Sequence, residues 1–129
     1  TALIDAYGLI KCVTLDSPDS VPEFQIVLNR VRDQAEARSS LQKLRQVAEK
    51  HLKKPRLNYL GYIPFDRYLL HSIAIQEPAV LSHPRAFVTA CLKGIEQKIS
   101  VRYRTWAKRQ EQSSPAPSYF GSLERLTYE

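Results

Sequence analysis

The chain has 129 residues, 43% hydrophobic and 25% charged, with a formal net charge of +6. That is enough for one domain with its own core and barely enough for two. The mild positive charge favours anionic partners such as nucleic acid, nucleotide or acidic lipid without choosing among them, and no run approaches the ~18 apolar residues of a membrane span.

In chain order, residues 1 to 13 place Leu3, Ile4, Tyr7 and Ile10 at helical spacing, with Thr1 as a cap. The segment "DSPDSVPE" (16 to 23) is a turn cluster with two prolines. "FQIVLNRV" (24 to 31) is a nearly continuous apolar run, the pattern of a strand buried on both faces. Asp33 and Glu36 then make a capping-box-like start to a helix with the apolar stripe Leu41, Leu44, Val47, Ala48 and Leu52, which "KKP" ends. "LNYLGYIP" (57 to 64) reads as a second strand. One helix between two strands is a βαβ crossover, so the strands are predicted to be parallel.

After Asp66 comes a short helical piece, "RYLLHSIAI". Ser82 and Pro84 then open a long helix carrying Phe87, Cys91, Leu92, Ile95, Ile99 and Trp106. Residues 1–110 are expected to belong to one α/β domain, with a linker at 111–118 and a short tail at 119–129. Two parallel strands cannot make a stable sheet alone, so the missing strands are expected upstream of Thr1. The chain is accordingly read as the C-terminal part of a longer protein.

In open parallel sheets, ligands bind beyond the carboxyl ends of the strands. The first strand exits at Asn29 and Arg30; the second exits at Pro64, Phe65 and Asp66. An asparagine amide offers a donor and an acceptor together, which suits the edge of an adenine base. Proline supplies a flat apolar wall. Each residue also has a plainer reading: Asn29 ending its strand, Pro64 stopping the other, and Asp66 capping the next helix.

The runs "TALIDAYGLIK" (1–11), "VLNRV" (27–31), "LGYIPFD" (60–66) and "QEP" (76–78) resemble the MinD/ParA superfamily of P-loop ATPases. They look most like its flagellar-number regulators of the FlhG/FleN type, with the likeness running from Thr1 to about Ile99. The resemblance implies the C-terminal part of a doubly wound parallel-sheet nucleotide-binding fold. It implies that Asn29, Arg30, Pro64, Phe65 and Asp66 face adenine, and that Asp5 and Tyr7 stand beside a nucleotide-dependent dimer interface. ATP or ADP with Mg²⁺ would bind the full-length protein, which would be a homodimer in its ATP state. A flagellar signal-recognition-type GTPase and a transcription activator would be partners. The expected location is the cytoplasm, peripheral at the inner face of the membrane or the cell pole.

No G-x-x-x-x-G-K-[ST] occurs, and Gly8, Gly61, Gly94 and Gly121 are too scattered to cradle phosphates. The chain alone is therefore not expected to hydrolyse ATP, and no catalytic residue is assigned. His51, His71 and His83 have no metal-ligand spacing, so no metal site is read. Cys12 and Cys91 lie in apolar helical patterns and read as reduced core thiols. Where relatives carry several basic residues after P-x-D, "LLHSIAIQEP" has only His71.

The basic sets Lys43, Arg45, Lys50, Lys53, Lys54, Arg56 and Lys93, Lys98, Arg102, Arg104, Lys108, Arg109 read as solvated helix faces, with Tyr103 and Trp106 the only hint of nucleic acid. In the tail, Phe120, Leu123 and Leu126 fall on one side of a short helix, a weak signal for an anionic membrane. The competing reading is a non-catalytic protein- or nucleic-acid-binding module.

Overall fold

In the computed structural model, which describes residues 2–52 and 55–113, helices and strands alternate through the first half of the chain. The order is α1 (Ala2–Asp16), β1 (Glu23–Val31), α2 (Gln34–His51), β2 (Arg56–Pro64), α3 (Arg67–Ala74), α4 (Ala79–Ser82) and α5 (Phe87–Ser113). The fold class is α/β. β1 and β2 pair in parallel, joined by α2, as the crossover pattern predicts.

The caps of α2 and α3 form from local chemistry. The Glu36 amide donates to Asp33 Oδ1 at 2.8 Å, while Glu36 Oε2 accepts from the Arg32 amide at 2.7 Å. This is a capping box whose return bond falls one residue before the cap. Asp66 begins α3 in the same way, accepting from the amides of Tyr68 at 2.7 Å and Leu69 at 3.3 Å.

α2 covers one face of the sheet. Ile10, Leu44, Ala48 and Leu57 form one buried cluster, with Leu3, Tyr7, Phe24, Ile26 and Leu52 packed against it. Leu28, Val31, Ala37 and Leu41 form a second, flanked by Tyr59 and Tyr62. Each buried leucine or valine contributes about 1.5–3 kcal/mol, so this layer holds the strand ends in place. Arg45 sits on the same helix, yet its Nη2 donates to the Leu57 carbonyl at 2.8 Å. Of the first basic set, it thus has a structural task.

Several expectations need correction. β1 is not buried on both faces: Glu23 and Gln25 are exposed, because only the side facing α2 is covered along its first half. Val47 is exposed rather than part of the α2 stripe. Cys12 is exposed and Cys91 half-buried, so neither is a core thiol; both are free. The long helix starts at Phe87, not at Ser82 and Pro84. Ser82 instead ends α4, and Pro84 follows His83 in a turn closed by the Ala86 amide on the His83 carbonyl at 3.1 Å. Proline there presets the backbone of a β-turn rather than a helix.

The buried side of α5 is Val88, Thr89 and Ile95, whereas Phe87, Ile99 and Trp106 are exposed. Thr89 is satisfied by bonding its hydroxyl to the carbonyls of His83 at 2.7 Å and Ala79 at 3.2 Å.

The chain divides into two compact units, the first ending at Glu96 and the second beginning at Gln97. In the second, α5 continues to Ser113, three residues into the segment read as a linker, and the rings of Tyr103 and Trp106 lie 5.8 Å apart. Thr1, Lys53, Lys54 and the tail residues Phe120, Leu123 and Leu126 fall outside the described residues. No described helix is long and apolar enough to cross a membrane.

Candidate nucleotide-base rim

Two bulges shape the exits of the strands. β1 and β2 pair from Glu23↔Arg56 to Ile26↔Tyr59, then skip Leu60 so that Val27 meets Gly61. Further on, Asn29 faces Ile63 while Val31 faces Pro64, which leaves Arg30 as the extra residue on β1. One bulge on each strand cancels the other, and the two exits leave the sheet level with one another.

Each bulge has a local cause. Gly61 takes φ +154°, and a Cβ there would stand 2.9 Å from Ile95 Cγ1. Only glycine lets α5 approach the strand so closely. Arg30 takes φ +59°, the left-handed region, which costs a residue with a Cβ roughly 1–2 kcal/mol. Such strain persists where the surroundings hold it and is commonest at functional positions.

Beyond the second bulge the Phe65 amide donates to the Val31 carbonyl at 2.9 Å, tying the two exits together. The turned backbone carries the Arg30 guanidinium over the Phe65 ring, 5.6 Å from its centroid. Asn29 is exposed beside it, and Phe65 shows 59% of its surface. Pro64 is buried opposite Val31, so the open apolar surface belongs to Phe65. Asp66 is half-buried and accounted for by its two capping bonds. The pairing thus brings Asn29, Arg30, Pro64, Phe65 and Asp66 to one edge.

Asp5 and Tyr7 belong to a different element. Asp5 is exposed in the first turn of α1, while Tyr7 packs against the cluster of Ile10, Leu44, Ala48 and Leu57. Cys91, on α5, is electrostatically coupled to Asp66: burial first, and the Asp66 carboxylate second, push its thiol pKa up.

Sequence spacing gave no reason to join His71 and His83, yet His71 Nδ1 and His83 Nε2 lie 2.9 Å apart. The Tyr68 ring packs 4.9 Å from that of His83, and Arg67 donates to the Tyr68 hydroxyl at 3.0 Å. Only the path of the chain through α3 and α4 closes the twelve-residue gap between the two imidazoles.

With this geometry in place, comparison with characterised proteins finds the antiactivator FleN of Pseudomonas aeruginosa, 28% identical over 99 residues. The match covers 77% of this chain and 34% of that protein, so the chain spans about a third of the length of the curated relative it matches. No family model matches. The likeness supports the MinD/ParA-like relationship implied by the motifs.

The rim presents an exposed asparagine at the end of β1 and an exposed ring after β2, with a planar cation over that ring. Among the described residues, no group of three His, Cys, Asp or Glu side chains could hold a metal ion. No residue here is therefore assigned to Mg²⁺.

Proposed function

We propose that this chain is the adenine-recognising part of a MinD-like, ATP-dependent dimerisation switch that controls flagellar number or placement. What supports the reading is the doubled bulge that sets Asn29 and Arg30 level with Phe65 at the carboxyl edge of a parallel pair. The Asn29 amide would donate to and accept from the edge of the base. The Phe65 ring and the Arg30 guanidinium would offer flat surfaces to its face. Pro64 shapes the wall from beneath, and Asp66 holds the start of α3 steady.

ATP carries the phosphates whose Mg²⁺-assisted hydrolysis would reset the switch. This chain has no glycine-rich loop for them, and no step of that chemistry is assigned to its residues. The fold proposed is the C-terminal part of a doubly wound P-loop sheet. Homodimerisation in the ATP state, with Asp5 on the outer side of α1 near the interface, belongs to the same proposal. So do a signal-recognition-type GTPase and a transcription activator as partners, and a cytoplasmic place at the membrane or pole. The name of the FleN relative speaks of antiactivation, which motivates the activator.

Two measurements test this. The reading frame upstream of Thr1 should encode a glycine-rich loop ending in G-K-[ST]; an unrelated domain there would overturn the switch. In the full-length protein, Asn29→Ala should weaken ATP binding about tenfold with the fold intact, the loss expected when the hydrogen bonds of one amide to the base are removed. Unchanged ATP affinity would refute the adenine assignment.

A further inference from the structure

We propose a second ligand site, distinct from the rim, in the open cavity between α3 and the α4–α5 turn, for the phosphate monoester group of a small molecule. The cavity measures about 320 Å³ and is lined by Tyr68, Ser82, His83, Pro84, Arg85 and Ala86. That is the lower end of the size range of small-molecule sites.

Its polar lining consists almost wholly of donors. Arg85 is exposed and forms no hydrogen bond or ion pair with a described residue, which leaves its five N–H groups available. The Tyr68 oxygen already accepts from Arg67 Nη2 at 3.0 Å, so its own O–H remains to donate. Arg67 in turn stacks 4.8 Å over the Tyr68 ring and adds a second guanidinium at the margin.

His83 is oriented by His71 through the 2.9 Å contact between Nδ1 and Nε2. When His71 donates in that pair, the proton of neutral His83 resides on its other nitrogen, a further donor. Ser82 is the exception. Its Oγ donates to the Pro78 carbonyl at 3.1 Å, so toward the cavity it offers lone pairs, a match for a protonated phosphate oxygen.

Among the described residues, no carboxylate lines the cavity. A forked guanidinium, a phenol and an imidazole around one space, without a neutralising acid, select a tetrahedral oxyanion over a neutral or cationic ligand. The rim residues Asn29, Arg30 and Phe65 are not part of this lining. The two sites therefore stand or fall separately.

The test is an amide-resolved NMR titration of the full-length protein with inorganic phosphate, added to a buffer that otherwise contains only chloride as its anion. Saturable shifts should centre on Tyr68 and on residues 82–86. Arg85→Gln should weaken binding about tenfold and Tyr68→Phe about threefold, whereas Lys43→Gln on α2 should leave it unchanged. The spectra of the variants report at once whether they are folded.

A second arm adds phosphatidylcholine vesicles containing phosphatidic acid, which carry the same group on a lipid. Vesicle binding without a response to free phosphate would overturn the proposal. So would equal losses in Arg85→Gln and Lys43→Gln, the absence of saturable shifts, or shifts centred on residues 29–31 and 63–66. The last result would leave the rim reading intact.

Discussion

Asp66 is the residue on which local structure and site environment meet. It caps α3 and also acts on Cys91, so its two tasks separate by substitution. Asp66→Ala should lower stability by about 1 kcal/mol through loss of the cap, read by chemical denaturation. Asp66→Asn should keep the cap and lower the Cys91 thiol pKa, because the repelling charge is gone. In a Cys12→Ser background, alkylation rate against pH measures the latter; an unmoved profile would show that burial alone raises the thiol.

The sign for stability follows from proton binding. The folded thiol keeps its proton to higher pH than the unfolded one. Its contribution is therefore intact below the unfolded pKa and lost as pH rises through the folded pKa. Arg30 makes the opposite case in legibility. The caps at Asp33 and Asp66 could be read from sequence because their bonds span two or three residues. Nothing in "LNRV" announces a left-handed arginine, since that conformation is imposed by the neighbouring strand. Arg30→Gly should remove about 1–2 kcal/mol of backbone strain while losing about 0.5–1 kcal/mol of contact with Phe65. Stability should then hold level or rise slightly in denaturant titration, while affinity for the base falls.

Among elements, the two bulges decide where the strands end. The nearly continuous apolar runs of "FQIVLNRV" and "LNYLGYIP" were enough to read two parallel strands about a crossover helix. They could not show a skipped Leu60 or Arg30, because a bulge depends on both strands at once. Gly61→Ala puts a Cβ against Ile95 and should cost about 1–3 kcal/mol. The double variant with Ile95→Ala should be less destabilised than the sum of the single losses, by more than the ~0.5 kcal/mol expected of independent sites. Strict additivity would show that strain at φ +154° alone, and not the approach of α5, requires glycine. The start of α5 was misread for a related reason. Val88 rather than the larger Phe87 faces inward, because Pro84 and Thr89 set the phase of the helix through the preceding turn.

For the molecule as a whole, the fold class was legible because period and crossover length constrain it strongly. The shared edge of the two strand exits was legible through one rule, that parallel strands leave a sheet on the same side, while the role read for the residues there rests on their chemistry and a resemblance. The cavity beside His83 was not legible. Its donors come from α3 and the α4–α5 turn, and no spacing in the chain relates them. The match covers about a third of the length of the FleN antiactivator.

The most direct test of the proposed base recognition removes the phosphates altogether. Adenosine, titrated into the isotope-labelled full-length protein, should shift the amides of Asn29, Arg30 and Phe65 and the side-chain amide of Asn29. Guanosine at the same concentrations should not, and Asn29→Ala should abolish the response. Equal shifts with both nucleosides, or shifts that spare residues 29–31 and 63–66, would contradict the account.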